Sequence, residues 1–173
     1  MQSTIKCAIA IRLSFLYVML FSSLTFANTQ VIGLKINDSS IEEVRKVYSL
    51  KVKGEATYSI DAGAIPITGV KDAFVGFHND KLKVVGLKFS SDKFDYLFKI
   101  FNEKYKLYDS KTKRSDNRYA IFKNDGDLII INSPFKSFYL EVTYVDEGYN
   151  KKVEENSKAI KSNEYLKDKN NLW

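Results

Sequence analysis

The sequence predicts an α+β protein in which helices cover antiparallel sheet, with a charged helix or tail at the C-terminal end. Two stretches carry helical spacing. Ile41, Val44, Val47 and Tyr48 fall on one face, and Phe94, Leu97, Phe98, Phe101 and Tyr105 follow the i, i+3, i+4, i+7, i+11 rhythm of one apolar stripe. Around them lie short apolar runs joined by the turn sequences Asn79-Asp80 and Asn124-Asp125-Gly126, which bring neighbouring strands together antiparallel. Helices with one apolar face need a sheet to cover, and hairpins supply an antiparallel one.

Taken in chain order, residues 1–27 read as a secretory signal peptide. Lys6 and Arg12 precede the apolar run 13–21, and Thr25 and Ala27 stand at the −3 and −1 positions of a cleavage site. A membrane span needs roughly 20 apolar residues, and this run stops short of that before Asn28, Thr29 and Gln30. Cys7 lies ahead of the apolar run, which is the wrong place for a lipid-anchoring cysteine. Cleavage takes the basic residues from 27 to 25 against 21 acidic ones, so the net charge falls from +6 to +4 over 146 residues. It also removes the sole Cys and both Met, which leaves no thiol for a disulfide in an oxidising compartment. Stability must then come from packing, for which one domain of this size is sufficient.

The expected domain covers 28–145. Residues 31–36 read as a short strand. Ser39 with Glu42, or Ser40 with Glu43, forms a capping box that opens a helix running to about Leu50. Strands are expected at 56–60, 73–77 and 82–89. The pattern Val84-Val85-Gly86-Leu87-Lys88-Phe89 then repeats Val31-Ile32-Gly33-Leu34-Lys35-Ile36 at an offset of 53, which suggests two tandem strand-helix-strands units, about 31–89 and 84–145. After the second helix come strands at 119–122, 128–131 and 138–145. In the last of these Phe138, Leu140, Val142 and Tyr144 alternate with Tyr139, Glu141 and Thr143. Residues 146–173 are rich in Lys, Glu, Asn and Ser, and read as a loosely amphipathic helix or a solvated tail.

No catalytic, cofactor-binding or metal-binding constellation emerges. His78, the sole histidine, lies at an expected hairpin tip, and no Gly-x-Ser-x-Gly or phosphate-loop pattern occurs. The close acidic pairs Glu42/Glu43 and Asp92/Asp95 sit where helix starts favour negative charge, and Asp125/Asp127 flank a turn glycine. Asn37-Asp38-Ser39 is formally a glycosylation sequon, but helix capping explains it better. Two groups remain as candidate partner- or anion-binding residues. Lys111, Lys113, Arg114 and Arg118 cluster between the second helix and the following strand, diluted by Asp109 and Asp116. Tyr139 and Tyr149 are aromatic residues that the burial pattern does not place inside: they serve a protein contact or pack under the C-terminal helix. The mild net charge of an exported chain does not suit nucleic acid.

Gly33-Leu34 followed by Ser39-Ser40-Ile41-Glu42-Glu43-Val44 resembles the start of the BamE-type outer-membrane-assembly lipoproteins, although the lipid-anchoring Cys of that family is missing. The doubled helix-on-sheet pattern is similar to the β-lactamase inhibitor protein, without that family's disulfides, and to small exported bacterial proteins that remain uncharacterised. These resemblances imply a non-catalytic, exported module that binds another envelope or secreted protein as inhibitor, immunity factor or assembly accessory. Two readings stand beside it: a hydrolase of envelope polymer working through a carboxylate pair, and a protein that binds anionic surfaces.

Overall fold

The computed structural model describes residues 29–171. The expected signal peptide, 1–27, lies outside the described residues. The chain begins with a small hairpin, β1 (Gln30–Val31) and β2 (Leu34–Lys35), and helix α1 (Ile41–Val47). A meander of four strands follows: β3 (Leu50–Gly54), β4 (Thr57–Ile60), β5 (Asp72–His78) and β6 (Lys81–Ser90). Helix α2 (Phe94–Lys104) opens a second meander, β7 (Lys106–Lys111), β8 (Arg118–Asn124), β9 (Asp127–Ser133) and β10 (Tyr139–Asp146), and helix α3 (Glu147–Asn171) ends the described chain.

The eight strands form one antiparallel sheet in the order β3-β4-β5-β6-β10-β9-β8-β7. Each meander lies in sequence order, and the two join through their last strands, β6 and β10. The α+β prediction therefore holds, with a correction to how the units begin. Residues 84–89 do not open a second unit; they belong to β6 and close the first meander. Residues 31–36, their apparent counterpart, are not one strand but the β1–β2 hairpin outside the large sheet. The units begin on helices instead, at Ile41 and Phe94, which are themselves 53 residues apart.

That first hairpin was hidden because its turn places Ile32 (φ 48) before Gly33 (φ 80) in left-handed backbone, a conformation unusual for a β-branched residue. Burial of Ile32, and the Tyr48 hydroxyl donating to its carbonyl at 2.8 Å, hold it there. Two of the other tight turns follow ordinary chemistry: Asn79-Asp80 (φ 50, 58) and Asp125-Gly126 (φ 46, 87) suit the primed turns of two-residue hairpins, whereas Glu55-Ala56 between β3 and β4 holds an alanine at φ 51. Helix α1 starts on the Ser40–Glu43 capping box, one of the two expected. Strands β3 and β7 were not anticipated. Both are sheet edges, mostly exposed on both faces, so neither shows a hydrophobic alternation, and lysines at 51, 53, 106 and 111 discourage pairing with another chain.

The core occupies one face of the sheet. Ala73 and Val75, Val85, Leu87 and Phe89, Leu140, Val142 and Tyr144, and Ile129 and Ile131 point to it from the four inner strands. Val44 of α1, Ile36, and Phe94, Leu97 and Phe101 of α2 cover them. The rings of Phe98 and Phe101 lie 5.9 and 6.0 Å from that of Phe122 on β8, which fixes α2 over the second meander. Each such side chain, fully buried, contributes about 1.5–3 kcal/mol. Phe138, expected to face the core with Leu140, instead precedes β10 and is 83% exposed. Helix α3 leaves the sheet at Asp146, whose carboxylate accepts the Tyr149 backbone N–H at 2.6 Å, and its residues 151–161 are exposed on all sides. The C-terminal segment is thus a projecting helix, with Asn150 bonded to Glu154 one turn on.

Candidate functional site

The second face of the sheet carries no helix core, and its composition departs from the rule for antiparallel sheets. Such a sheet ordinarily pairs an apolar face with a polar one. Here register aligns Lys51, Ser59, Phe74, Gly86, Thr143, Ile130, Ile121 and Asp109 in one line across all eight strands. Phe74, Ile130 and Ile121 make the middle of that line mostly apolar and only half-buried, with the Thr143 hydroxyl donating to Glu141 at 3.0 Å. The Phe74 ring lies across Gly86 so closely that a Cβ there would sit 2.0 Å from it. A neighbouring line is polar: Asp72, Lys88, Glu141, Asn132, Tyr119 and Lys111. Beyond Glu141, at the end of β10, Tyr139 pairs with Ser90 and is half exposed. On the other side, Val145 and Leu128 face each other, buried but outside the main core cluster.

Lysines lie against the aromatic rings of this face. Lys53 Nζ is 5.2 Å from the Phe74 ring, Lys88 Nζ 6.0 Å from Tyr139 and Lys123 Nζ 4.4 Å from Tyr108. Asp72 sits between Lys53 (3.8 Å) and Lys88 (3.5 Å), and Tyr119 donates its hydroxyl to Asp109 at 2.9 Å. Exposed aromatic rings are side chains that protein interfaces favour, and a cation beside each ring adds an electrostatic attraction that fixes it.

The expected candidates separate. Tyr139 belongs to this face. Lys111 reaches its β7 edge but is ion-paired with Asp116. Arg118 turns inward: its side chain is only 12% exposed, its guanidinium lies 3.8 Å over the Phe94 ring, and it pairs with Asp95. Arg114 meets the same carboxylate at 2.7 Å. The Arg114 hydrogen bond, ahead of that from Arg118, holds the Asp95 carboxyl below its ordinary range. Of the four expected cations, only Lys113 has no ion pair among the described residues, and Arg114 and Arg118 share the single carboxylate of Asp95, so the four are divided between separate pairs rather than gathered on one open patch. Tyr149 lies at the start of α3, its ring 5.7 Å from that of His78 at the Asn79-Asp80 hairpin, remote from Tyr139 in the sheet. The residues that sequence reasoning missed are Phe74, Ile121 and Ile130. Their trace was present: runs such as 128–131 are apolar at every position, which a strand with one wet face does not require.

The structure also brings together a carboxylate pair that spacing alone did not show. Asp127, 1% exposed, and Asp146 are bridged by the Asn37 side-chain amide, at 3.2 and 2.9 Å. Thr29 N–H donates to the second oxygen of Asp127 at 3.1 Å, and Lys83 lies 3.8 Å from Asp146 and donates to the Asn37 carbonyl. Burial raises the Asp127 carboxyl above its ordinary range. A glycosidase pair needs an open cleft between its carboxyl groups. These oxygens are instead occupied by the backbone and Asn37, tying the N-terminal hairpin to the ends of β9 and β10. The sequon amide of Asn37 is engaged in the same clamp. Among the described residues no cluster of three His, Cys, Asp or Glu suits a metal ion, and no helix is long and apolar enough to cross a membrane. Comparison with protein-family models, with curated proteins and with solved structures finds no match to this chain.

Proposed function

We propose that this chain is an exported, non-catalytic module that binds another folded protein, as inhibitor, immunity factor or envelope-assembly accessory, through the helix-free face of its sheet. The observation that carries the reading is the half-buried line Phe74–Thr143–Ile130–Ile121, apolar but for the Thr143 hydroxyl, on a face that should be polar, flanked by aromatic rings beside lysines. The charge of the face bears on the partner's chemistry. Lys111 and Lys123 are paired with Asp116 and Glu147, whereas Lys51 and Lys106 have no ion pair among the described residues and Lys53 and Lys88 share the single carboxylate of Asp72, so the complementary surface is apolar at its centre and carries acidic groups opposite Lys51, Lys106 and the Lys53–Lys88 pair. Export is supported by Lys6, Arg12, the apolar run 13–21 and Ala27.

The test has two stages. A protein recovered with this chain from envelope extract is purified, and the complex is measured by calorimetry. The expected result is a 1:1 complex that Tyr139→Ala weakens about 30-fold, as loss of an interface anchor worth about 2 kcal/mol does. Ile130→Glu should abolish it without altering the partner-free fold. Lys88→Glu should slow association and reduce its salt dependence. Full affinity in Tyr139→Ala and Ile130→Glu together would move the interface elsewhere and refute the assignment.

A further inference from the structure

On the opposite, helix-covered face, the joint between the two meanders is incompletely roofed. A trough of about 550 Å3 runs there between α2 and the loop at residues 65–69, a size typical of small-molecule sites. Its floor is Leu87 and Phe89 of β6 with Val142 and Tyr144 of β10; Leu97 walls one side and the half-exposed Ile67 forms the lip of the other. Phe89 and Tyr144 lie in register rows four residues apart, since Tyr144 pairs with Val85. The floor is therefore about 13 Å long.

Each end of this apolar trough carries a polar group without a partner. Lys93, at the start of α2, is exposed and forms no ion pair among the described residues. Tyr144 is 6% exposed, lines the trough, and its hydroxyl makes no hydrogen bond among the described residues; burial raises it above its ordinary range. The hydroxyl is not fully enclosed, since it is absent from the buried polar groups that lack a partner, and so it is free to donate to a group that enters the trough. We infer that the trough binds a single-chain amphiphile, with an anionic group at Lys93, an apolar chain along Leu87 and Val142, and an acceptor oxygen at the Tyr144 hydroxyl. This site lies on the face opposite the proposed protein interface, so either assignment can fail without the other.

The experiment follows the methyl resonances of Ile67, Leu87, Leu97 and Val142 while the protein is titrated with decanoate or monomethyl decanedioate. The second probe has the same chain with an ester carbonyl at the far end. Both should shift these methyls saturably, with the ester acid binding about three- to tenfold tighter, the value of one hydrogen bond. Tyr144→Phe should remove that preference and leave decanoate unchanged. Lys93→Ala should weaken both acids, and Ile67→Trp, which fills the trough from its lip, should abolish both. Resonances far from the trough report that each variant remains folded. Absence of saturable shifts in the parent protein, or a Tyr144→Phe variant that still prefers the ester acid, overturns the assignment.

Discussion

Replacing Asn37 with Asp exchanges one NH2 group for one oxygen inside the clamp that closes the N-terminal end of the fold. The amide donates to both Asp146 (2.9 Å) and Asp127 (3.2 Å). Hydrogen bonds to charged acceptors are each worth about 1.5–3 kcal/mol, and Asp127, almost fully buried, cannot recover its share from water. The substitution also adds a third carboxylate, partly offset by Lys83. The expected loss at about pH 7 is 3–5 kcal/mol, a large fraction of a small domain's stability. Backbone strain does not confuse the result, because Asn37 is left-handed (φ 67) and Asp tolerates that region nearly as well. Asn37→Gly is the control: it removes the same donors without adding charge, and because glycine relieves the left-handed backbone by about 1 kcal/mol the net loss should be about 2–3 kcal/mol, toward the low end of two such bonds. The sign of the pH dependence separates the two. The new carboxyl, surrounded by two others, titrates higher folded than unfolded. Its protonated form is therefore favoured by folding, and the extra penalty appears as pH rises through the folded value and vanishes below the unfolded one, about 3.9. Urea unfolding followed by circular dichroism at about pH 4 and pH 7 should show the Asp and Gly variants converging at the lower pH. An Asp variant no worse than Gly at neutral pH, or a gap between them that does not change with pH, would refute the clamp.

Other consequences are open to the same measurements. Asp95→Asn removes the shared partner of Arg114 and the largely buried Arg118; because Asp95 itself is half exposed, the loss should be about 1–2 kcal/mol rather than the larger value of a buried pair. Since the Asp95 carboxyl is held below the ordinary aspartate value of about 3.8, that stability is present above this value and is lost as pH falls through the folded one; the Asn variant should show no such loss on acid titration. Asp127 runs the other way in the parent protein: raised by burial, it contributes stability below about 3.8 that is lost as pH rises through its folded value, a slope that Asn37→Gly should steepen. Phe122→Ala, under Phe98 and Phe101, should cost 3–5 kcal/mol in urea unfolding, about the ordinary penalty for an emptied core. Tyr144→Phe should leave ligand-free stability unchanged or raise it by up to about 1 kcal/mol, and a clear loss would mean that the hydroxyl has a partner after all.

What was legible in the sequence, and what was not, follows from which residues carry a local imprint. Helix α2 was readable to its ends because Phe94, Leu97 and Phe101 are buried by the helix's own geometry against any sheet. The Asn79-Asp80 and Asp125-Gly126 turns were readable because left-handed backbone demands those residue types. Strands β3 and β7 were invisible because an edge strand has only one neighbour and here no buried face, so Val52 and Tyr108 obey no alternation. The β1–β2 hairpin was misread for a different reason: its turn is imposed from outside, by Tyr48 sixteen residues away, against the preference of Ile32.

The candidate site fails to read out for the most physical reason of all. Lys111, Lys113, Arg114 and Arg118 are close in sequence, and proximity suggested a shared anion site. In space, however, Asp95 on α2 and Asp116 in the loop reach three of them and Arg118 is drawn inward over Phe94, so the four do not gather on one open patch. The helix-free face works the other way. Phe74, Ile130 and Tyr139 are far apart in the chain and are assembled only by the β6–β10 junction, where two meanders meet through their last strands. That junction places the least exposed strands at the centre of both faces. It creates the apolar line on one side and, on the other, the trough that two helices of seven and eleven residues leave uncovered. Both proposed sites are therefore products of one topological fact. A variant that weakened β6–β10 pairing, such as Gly86→Val driving Phe74 from its seat, should disturb partner and amphiphile binding together, whereas Ile130→Glu and Ile67→Trp should each disturb only one.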